Sequence, residues 1–186
     1  MNMNPTALIL EGPACAGVTR HADALADALS ALGYCARVAR PTPSRNASEL
    51  GREIEYMRAR AAAIASAAPG SVVIFDRGPE SVAARGVALQ ASDDTAADAL
   101  GAALRSVARR GVPAAGTLYL NAPEEVLARR AVGRIPAVPL TERDSAEELL
   151  AAAQTLGARI PDTSRPFDEV HAEVIAWALG VIGGAP

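Results

Sequence analysis

Apolar positions along this chain follow two rhythms that alternate. Short continuous runs at Thr6–Glu11, Tyr34–Ala39, Ser71–Asp76 and Gly116–Asn121 predict buried β-strands, and a shorter one at Arg159–Pro161 predicts a fifth. Between them lie stretches whose apolar residues recur at helical spacing, as at Ala22, Leu25, Ala26, Leu29 and Leu32. They predict helices over Val18–Leu32, Ser48–Ala67, Pro79–Leu89, Asp93–Arg110, Pro123–Val132, Ser145–Thr155 and Phe167–Ile182. Gly33, Gly70, Gly111 and Gly157 stand where helices should stop, and Pro123 and Pro166 where two could start. This order implies a parallel sheet covered by helices on both faces, in one α/β domain spanning residues 1–186.

Composition narrows the picture only a little. No apolar run approaches the roughly 20 residues that span a bilayer, and the N-terminus lacks a basic leader, so no membrane partner is expected. A formal charge of −3 gives no general attraction to a nucleic-acid polymer. Two cysteines, Cys15 and Cys35, make no disulfide framework and suit a reducing cytoplasm. The chain has no lysine, and all 18 basic residues are arginine. Any cation required at a site must therefore be an arginine.

That matters at the first turn of the chain. Gly12-Pro13-Ala14-Cys15-Ala16-Gly17-Val18-Thr19 follows the P-loop pattern G-x-x-x-x-G-K-[ST], with Val18 where the lysine belongs. A strand precedes the loop and a helix follows it, the context in which backbone N–H groups cradle phosphate oxygens. Thr19 would face Mg²⁺, and Arg20 lies in the first helical turn. Cys15 reads either as a thiol activated by a helix N-terminus or as a small residue that tolerates tight packing.

Three further segments carry chemistry. The run Val72–Phe75 ends in Asp76-Arg77, which would bring a carboxylate and a guanidinium to the carboxyl edge of the sheet, where ligands bind in open α/β folds. Asp76 could hold Mg²⁺ through water and Arg77 a phosphate oxygen; a structural ion pair is the alternative. After the fourth strand come Arg129, Arg130 and Arg134, on a segment that reads as a short lid around residues 129–143 or as a solvated helix face. Last, Arg159–Val170 combines a short strand, a polar loop with Asp162 and Ser164, and a helix start that could line a purine pocket.

In this order the four segments resemble the thymidylate kinase and deoxynucleoside kinase family of P-loop proteins. Glu11 to Thr19 is similar to its strand-Glu-Gly loop, Asp76-Arg77 to its Asp-Arg strand end, Tyr119 to Arg134 to the run before its arginine lid, and Ile160 to Val170 to its closing motif. Arg40-Pro41 resembles its turn over the acceptor. The resemblance implies a three-layer fold with five parallel strands, ATP or another nucleoside triphosphate as donor, Mg²⁺, a nucleoside or nucleoside monophosphate as acceptor, and often a homodimer. It implies that Gly12 to Arg20, Asp162 and Ser164 hold the donor, and that Asp76, Arg77, Arg130 and Arg134 serve catalysis. Arg40, Pro41, Tyr56 and Arg60 (or Arg58) would meet the acceptor.

The departures are as informative. Val18 replaces the phosphate lysine, Ala14 stands where thymidylate kinases carry an aspartate, and no acid separates Arg40 from Pro41. Two expectations follow: a divergent kinase in which a lid arginine replaces the lysine, or a pseudokinase that binds nucleotide or a protein partner without transfer.

Overall fold

The computed structural model describes residues 4–42, 48–80, 82–83, 99, 102–107, 114–132, 146–155 and 157–184. Strand β1 (Thr6–Glu11) is the centre of a parallel sheet. It is flanked by β3 (Val72–Asp76) on one side and β4 (Gly116–Tyr119) on the other, with β2 (Ala36–Ala39) outside β3. The order β2-β3-β1-β4 places β1 and its following loop mid-sheet. Because both faces are covered, β1 is a continuous apolar run rather than an alternating one. Leu8, Ile9 and Leu10 are fully buried, each stabilising the fold by roughly 2 kcal/mol.

Strand pleating divides these side chains between two cores. Leu8, Leu10, Ile74 and Leu118 pack with Ala22, Leu25 and Leu29 of α1 (Val18–Ala31) and with Val170, Val174 and Ala178 of the C-terminal helix. Ala7, Ile9, Val73 and Phe75 face the opposite way, against Ala63 and Ile64 of α2 (Glu49–Ala65). Ser48 caps α2 by accepting the Gly51 N–H at 3.1 Å. Helix α3 (Glu124–Ala131) begins after Pro123, and α4 (Ala146–Thr155) packs Leu149 and Ala153 against Tyr119. Helix α5 (Phe167–Ile182) closes the first core. Its Val181 and Trp177 approach β4 so tightly that a Cβ at Gly116 would lie 2.9 Å from one and 3.1 Å from the other.

The expected fifth strand is corrected by the structure: among the described residues the sheet has four strands. The segment from Arg159 to Asp162 touches β4 and the residues after it through two isolated parallel bridges, Leu118 with Arg159 and Asn121 with Asp162. Pro161 brings no N–H to a ladder, so around it the contact rests on carbonyls: that of Arg159 accepts the Tyr119 N–H at 3.0 Å and its own accepts the Asn121 N–H at 3.2 Å. Most of the helices predicted over Pro79–Leu89 and Asp93–Arg110 lies outside the described residues; residues 79–80, 82–83, 99 and 102–107 are helical. Among the described residues no helix is long and apolar enough to cross a membrane.

Candidate functional site

Glu11 ends β1 and the chain turns through Gly12 to Gly17 into α1. Gly12 has φ 153°, and a Cβ there would run into the carbonyl oxygen of Leu120, so only glycine passes beneath the end of β4. Pro13 accepts the Ala16 N–H at 3.2 Å, which tightens the turn. Cys15 (φ 68°) and Gly17 (φ 91°) are both left-handed; for cysteine that conformation costs on the order of 1 kcal/mol. The first N–H groups of α1 have no acceptor within the helix, and its first turn contains no acidic residue. Val18 is 4% exposed and belongs to the core, 3.1 Å from where a Gly12 Cβ would be. Thr19 and Arg20 are exposed.

Beside this loop, on the β4 side, a cavity of about 310 Å³ opens between α1, α3 and the start of α5. Arg130 crosses it from α3: its Nη2 donates to the Thr163 carbonyl at 2.5 Å, and its Nη1 approaches Thr163 Oγ1 at 3.3 Å and the Cys15 carbonyl at 3.4 Å. Arg20 lays its guanidinium 3.8 Å above the Phe167 ring. Phe167 in turn stacks on His21 at 4.5 Å and on His171 at 5.3 Å, and the two Nδ1 atoms of these histidines are 3.5 Å apart. Burial, with His171, Arg20 and Arg130 close by, lowers the His21 pKa to about 4. His21 is thus neutral near pH 7. Arg165, also at the cavity, is paired with Glu169 and Glu173.

The other flank, toward β3 and β2, has a different character. Arg40 donates Nε to Asp76 Oδ2 at 3.2 Å and Nη2 to Asp23. Arg77 (φ 74°) gives its N–H to the Leu10 carbonyl at 2.9 Å, and Gly78 gives its own to the buried Glu11 carboxylate at 2.7 Å. Arg60, 2% exposed, forms a two-pronged pair with Glu80 at 2.5 and 3.1 Å. A Cβ on Gly78 would collide with this pair, so the turn after Asp76-Arg77 is locked between β1 and α2. Tyr119 is buried beside Glu11, and both effects push its phenol pKa well above the ordinary range.

The structure therefore gathers Gly12, Pro13, Ala14, Cys15, Ala16, Gly17, Val18, Thr19, Arg20 and Arg130 around one loop, with Asp76, Arg77 and Arg40 across the sheet edge. Arg60 is not displayed to solvent as an acceptor contact; it is bound to Glu80. Tyr56 is half-buried on α2, and Pro41 is half-buried after β2. Asp162 is exposed and accepts the Ser164 N–H at 2.8 Å, which holds its carboxylate below the usual range. Arg134 and residues 133–143 of the expected lid lie outside the described residues. Glu11, Glu80, His21, Thr163 and Phe167 were not singled out as site residues in the sequence. Apart from the Phe167–His171 stack, four positions apart on one helix, their partners lie 20 to 150 positions away, beyond any local pattern.

Among the described residues no group of three or more His, Cys, Asp or Glu side chains forms a metal cluster. A cation held mainly by phosphate oxygens does not require one. No protein-family model matches the chain, and no curated protein matches its sequence.

Proposed function

We propose that the Gly12–Thr19 loop and its adjoining cavity bind the phosphates of a nucleoside triphosphate, and that the chain transfers the terminal phosphoryl group to a small hydroxylated or phosphorylated acceptor, as a divergent member of the P-loop kinase fold. One observation carries this reading. Arg20 and Arg130 stand at the N-terminus of α1, and among the described residues neither has a carboxylate partner. A helix N-terminus already favours negative charge, and two guanidinium groups there without an ion pair add to that preference. His21 adds no third charge, because it stays neutral.

In this reading Arg130 supplies what Val18 cannot. Its guanidinium is tied to Cys15 and Thr163 through oxygens that carry no net charge, so its own charge remains available to phosphate oxygens. Catalysis of phosphoryl transfer is mostly positioning and electrostatic stabilisation, so a fixed cation at this place has direct value. Arg77, which follows β3 with a left-handed backbone, would add a second cation at this edge. The exposed Thr19 hydroxyl and the Asp76 carboxylate are hard oxygen donors that fit Mg²⁺, which would neutralise phosphate charge. Thr163 lines the cavity, and Asp162, bridged to Asn121, and Ser164 on either side of it would bound the nucleotide from outside.

A second reading, a nucleotide-binding module without transfer, is favoured by Val18 lying in the core and by Asp76 already paired with Arg40. The deciding experiment is magnesium-dependent transfer from ATP and GTP to a panel of nucleosides and nucleoside monophosphates, beside direct nucleotide binding. Transfer by the wild type that is lost in Arg130→Ala supports the kinase. Binding without transfer supports the module, and no nucleotide binding at all removes both.

A further inference from the structure

The turn that follows β3 is held from two sides. On the β1 side, the Leu10 carbonyl accepts the Arg77 N–H at 2.9 Å and the Glu11 carboxylate accepts the Gly78 N–H at 2.7 Å. On the α2 side, the Arg60 guanidinium lies 5.7 Å from the Phe75 ring centroid and grips Glu80 at 2.5 and 3.1 Å. Phe75 precedes Asp76-Arg77 and Glu80 follows it, so one guanidinium spans the turn. Resting on the functional reading above, we infer that Arg60 and Glu80 are positioning residues for phosphoryl transfer. They hold the Arg77–Gly78 backbone in the conformation that sets Arg77 at the sheet edge, and they do not themselves meet the acceptor.

Arg77 has φ 74°, a left-handed conformation that costs a non-glycine residue roughly 1 kcal/mol and persists where its surroundings over-determine it. Those surroundings are unusually close at the next residue. A Cβ on Gly78 would collide with Glu80 Oε2 and Arg60 Nη2 and would stand 3.2 Å from Glu11 Oε1. The ion pair thus covers Gly78 and keeps its N–H on the Glu11 carboxylate. The Arg60 and Glu80 side chains are 3% and 16% exposed, so neither can turn to an acceptor without leaving the other uncompensated in the interior. A buried pair is seldom more stabilising than apolar side chains of the same volume, and its use here is geometric. Asp76 has a separate hold in Arg40 on the exposed side, so the clamp acts on Arg77. A shift of that backbone would carry the Arg77 guanidinium away from the transferring group, and a misplacement of about 1 Å costs on the order of 10²-fold in rate.

The test compares the full chain with Arg60→Met/Glu80→Leu, which puts apolar side chains in place of the pair and strands no charge. Urea denaturation gives stability, steady-state transfer gives kcat and the KM for MgATP, and proton–nitrogen NMR follows the Gly78 amide. The expected variant is close to wild type in stability. Its kcat falls by about 10²-fold with the KM for MgATP unchanged, since the donor cavity lies on the other flank. Its Gly78 amide proton moves upfield as the bond to Glu11 is lost. Should the double variant not fold, Glu80→Gln keeps one acceptor oxygen for Arg60 and is read on the same measurements, with a smaller loss of kcat in the same direction. An unchanged kcat overturns the inference, because the pair would then serve stability alone. A fall in kcat with the Gly78 amide unmoved also overturns it, because the pair would then act on the acceptor directly. A wild type that transfers nothing removes the functional reading, and this role with it.

Discussion

Arg40 Nε lies 3.2 Å from Asp76 Oδ2, so the residue just past β2 is latched to the last residue of β3. The arginine is 45% exposed and the carboxylate 8%, and without Asp76 the guanidinium keeps water and Asp23, so the pair contributes about 1 kcal/mol to stability. The carboxylate, by contrast, stands at the sheet edge where phosphoryl chemistry is proposed. Asp76→Ala should therefore lower transfer by about 10²-fold or more while shifting the unfolding free energy by roughly 1 kcal/mol or less. Steady-state kinetics beside urea denaturation separates the two effects, and a parallel loss of both would assign Asp76 to structure alone.

Arg130 is the residue on which the proposed replacement of lysine depends. Arg130→Ala should weaken ATP binding and reduce transfer by about 10²- to 10³-fold. Arg130→Lys keeps the charge but cannot span Thr163 and Cys15 with one planar fork, so it should recover only part of the loss. Full activity in Arg130→Ala would end the idea of a substitute cation at this position.

Val18→Lys asks whether the site is a kinase lacking one charge. Val18 belongs to the same core as Leu10, Ala22 and Leu118, and its replacement should cost about 1–3 kcal/mol of stability. The lysine stem can follow the loop surface and carry its ammonium out to the phosphates. Transfer should rise relative to wild type, most visibly in kcat. Chemical denaturation and turnover on the same preparation supply both numbers.

His21 gives the fold a defined acid limit. Its pKa falls from 6.5 to about 4 on folding, because burial and the neighbouring His171, Arg20 and Arg130 all oppose its charge. The unfolded chain thus takes up a proton that the folded chain refuses. Stability is unaffected above pH 6.5, declines as pH falls toward 4, and levels below that, a loss on the order of 2–3 kcal/mol from this residue. His21→Leu should flatten the decline between pH 6.5 and 4, as followed by denaturant titration at fixed pH values. An unchanged slope would place the acid sensitivity elsewhere.

Local pattern located four strands and the five helices named above but not the contacts that define the site. Thr6–Glu11 and Phe167–Ile182 coincide with a strand and a helix, because unbroken burial on β1 and a Pro166 start on α5 leave their bounds unambiguous. Tyr34, Ser71 and Asn121 fall outside their strands, although the Ser71 carbonyl still accepts the Thr6 N–H at 2.8 Å and Asn121 is bridged to Asp162. Pro161 thwarts the fifth strand for a reason visible in the residue itself, its missing N–H. The Gly12–Val18 loop and the Asp76-Arg77 strand end were legible through motif and context. The neutral His21, the Arg60–Glu80 clamp and the Thr163 anchor for Arg130 were not. Each depends on two elements whose proximity is set by sheet order, which periodicity does not encode.

The close approach of α5 to Gly116 has a practical consequence. Trp177 is the chain's single indole, and it lies ten positions beyond Phe167, or about 15 Å along the helix axis. Its emission will follow the seating of that helix on the sheet, while nucleotides added at the far end leave the signal nearly unaltered. The protein thus carries a built-in optical gauge of its folding that is largely blind to occupancy of its proposed site.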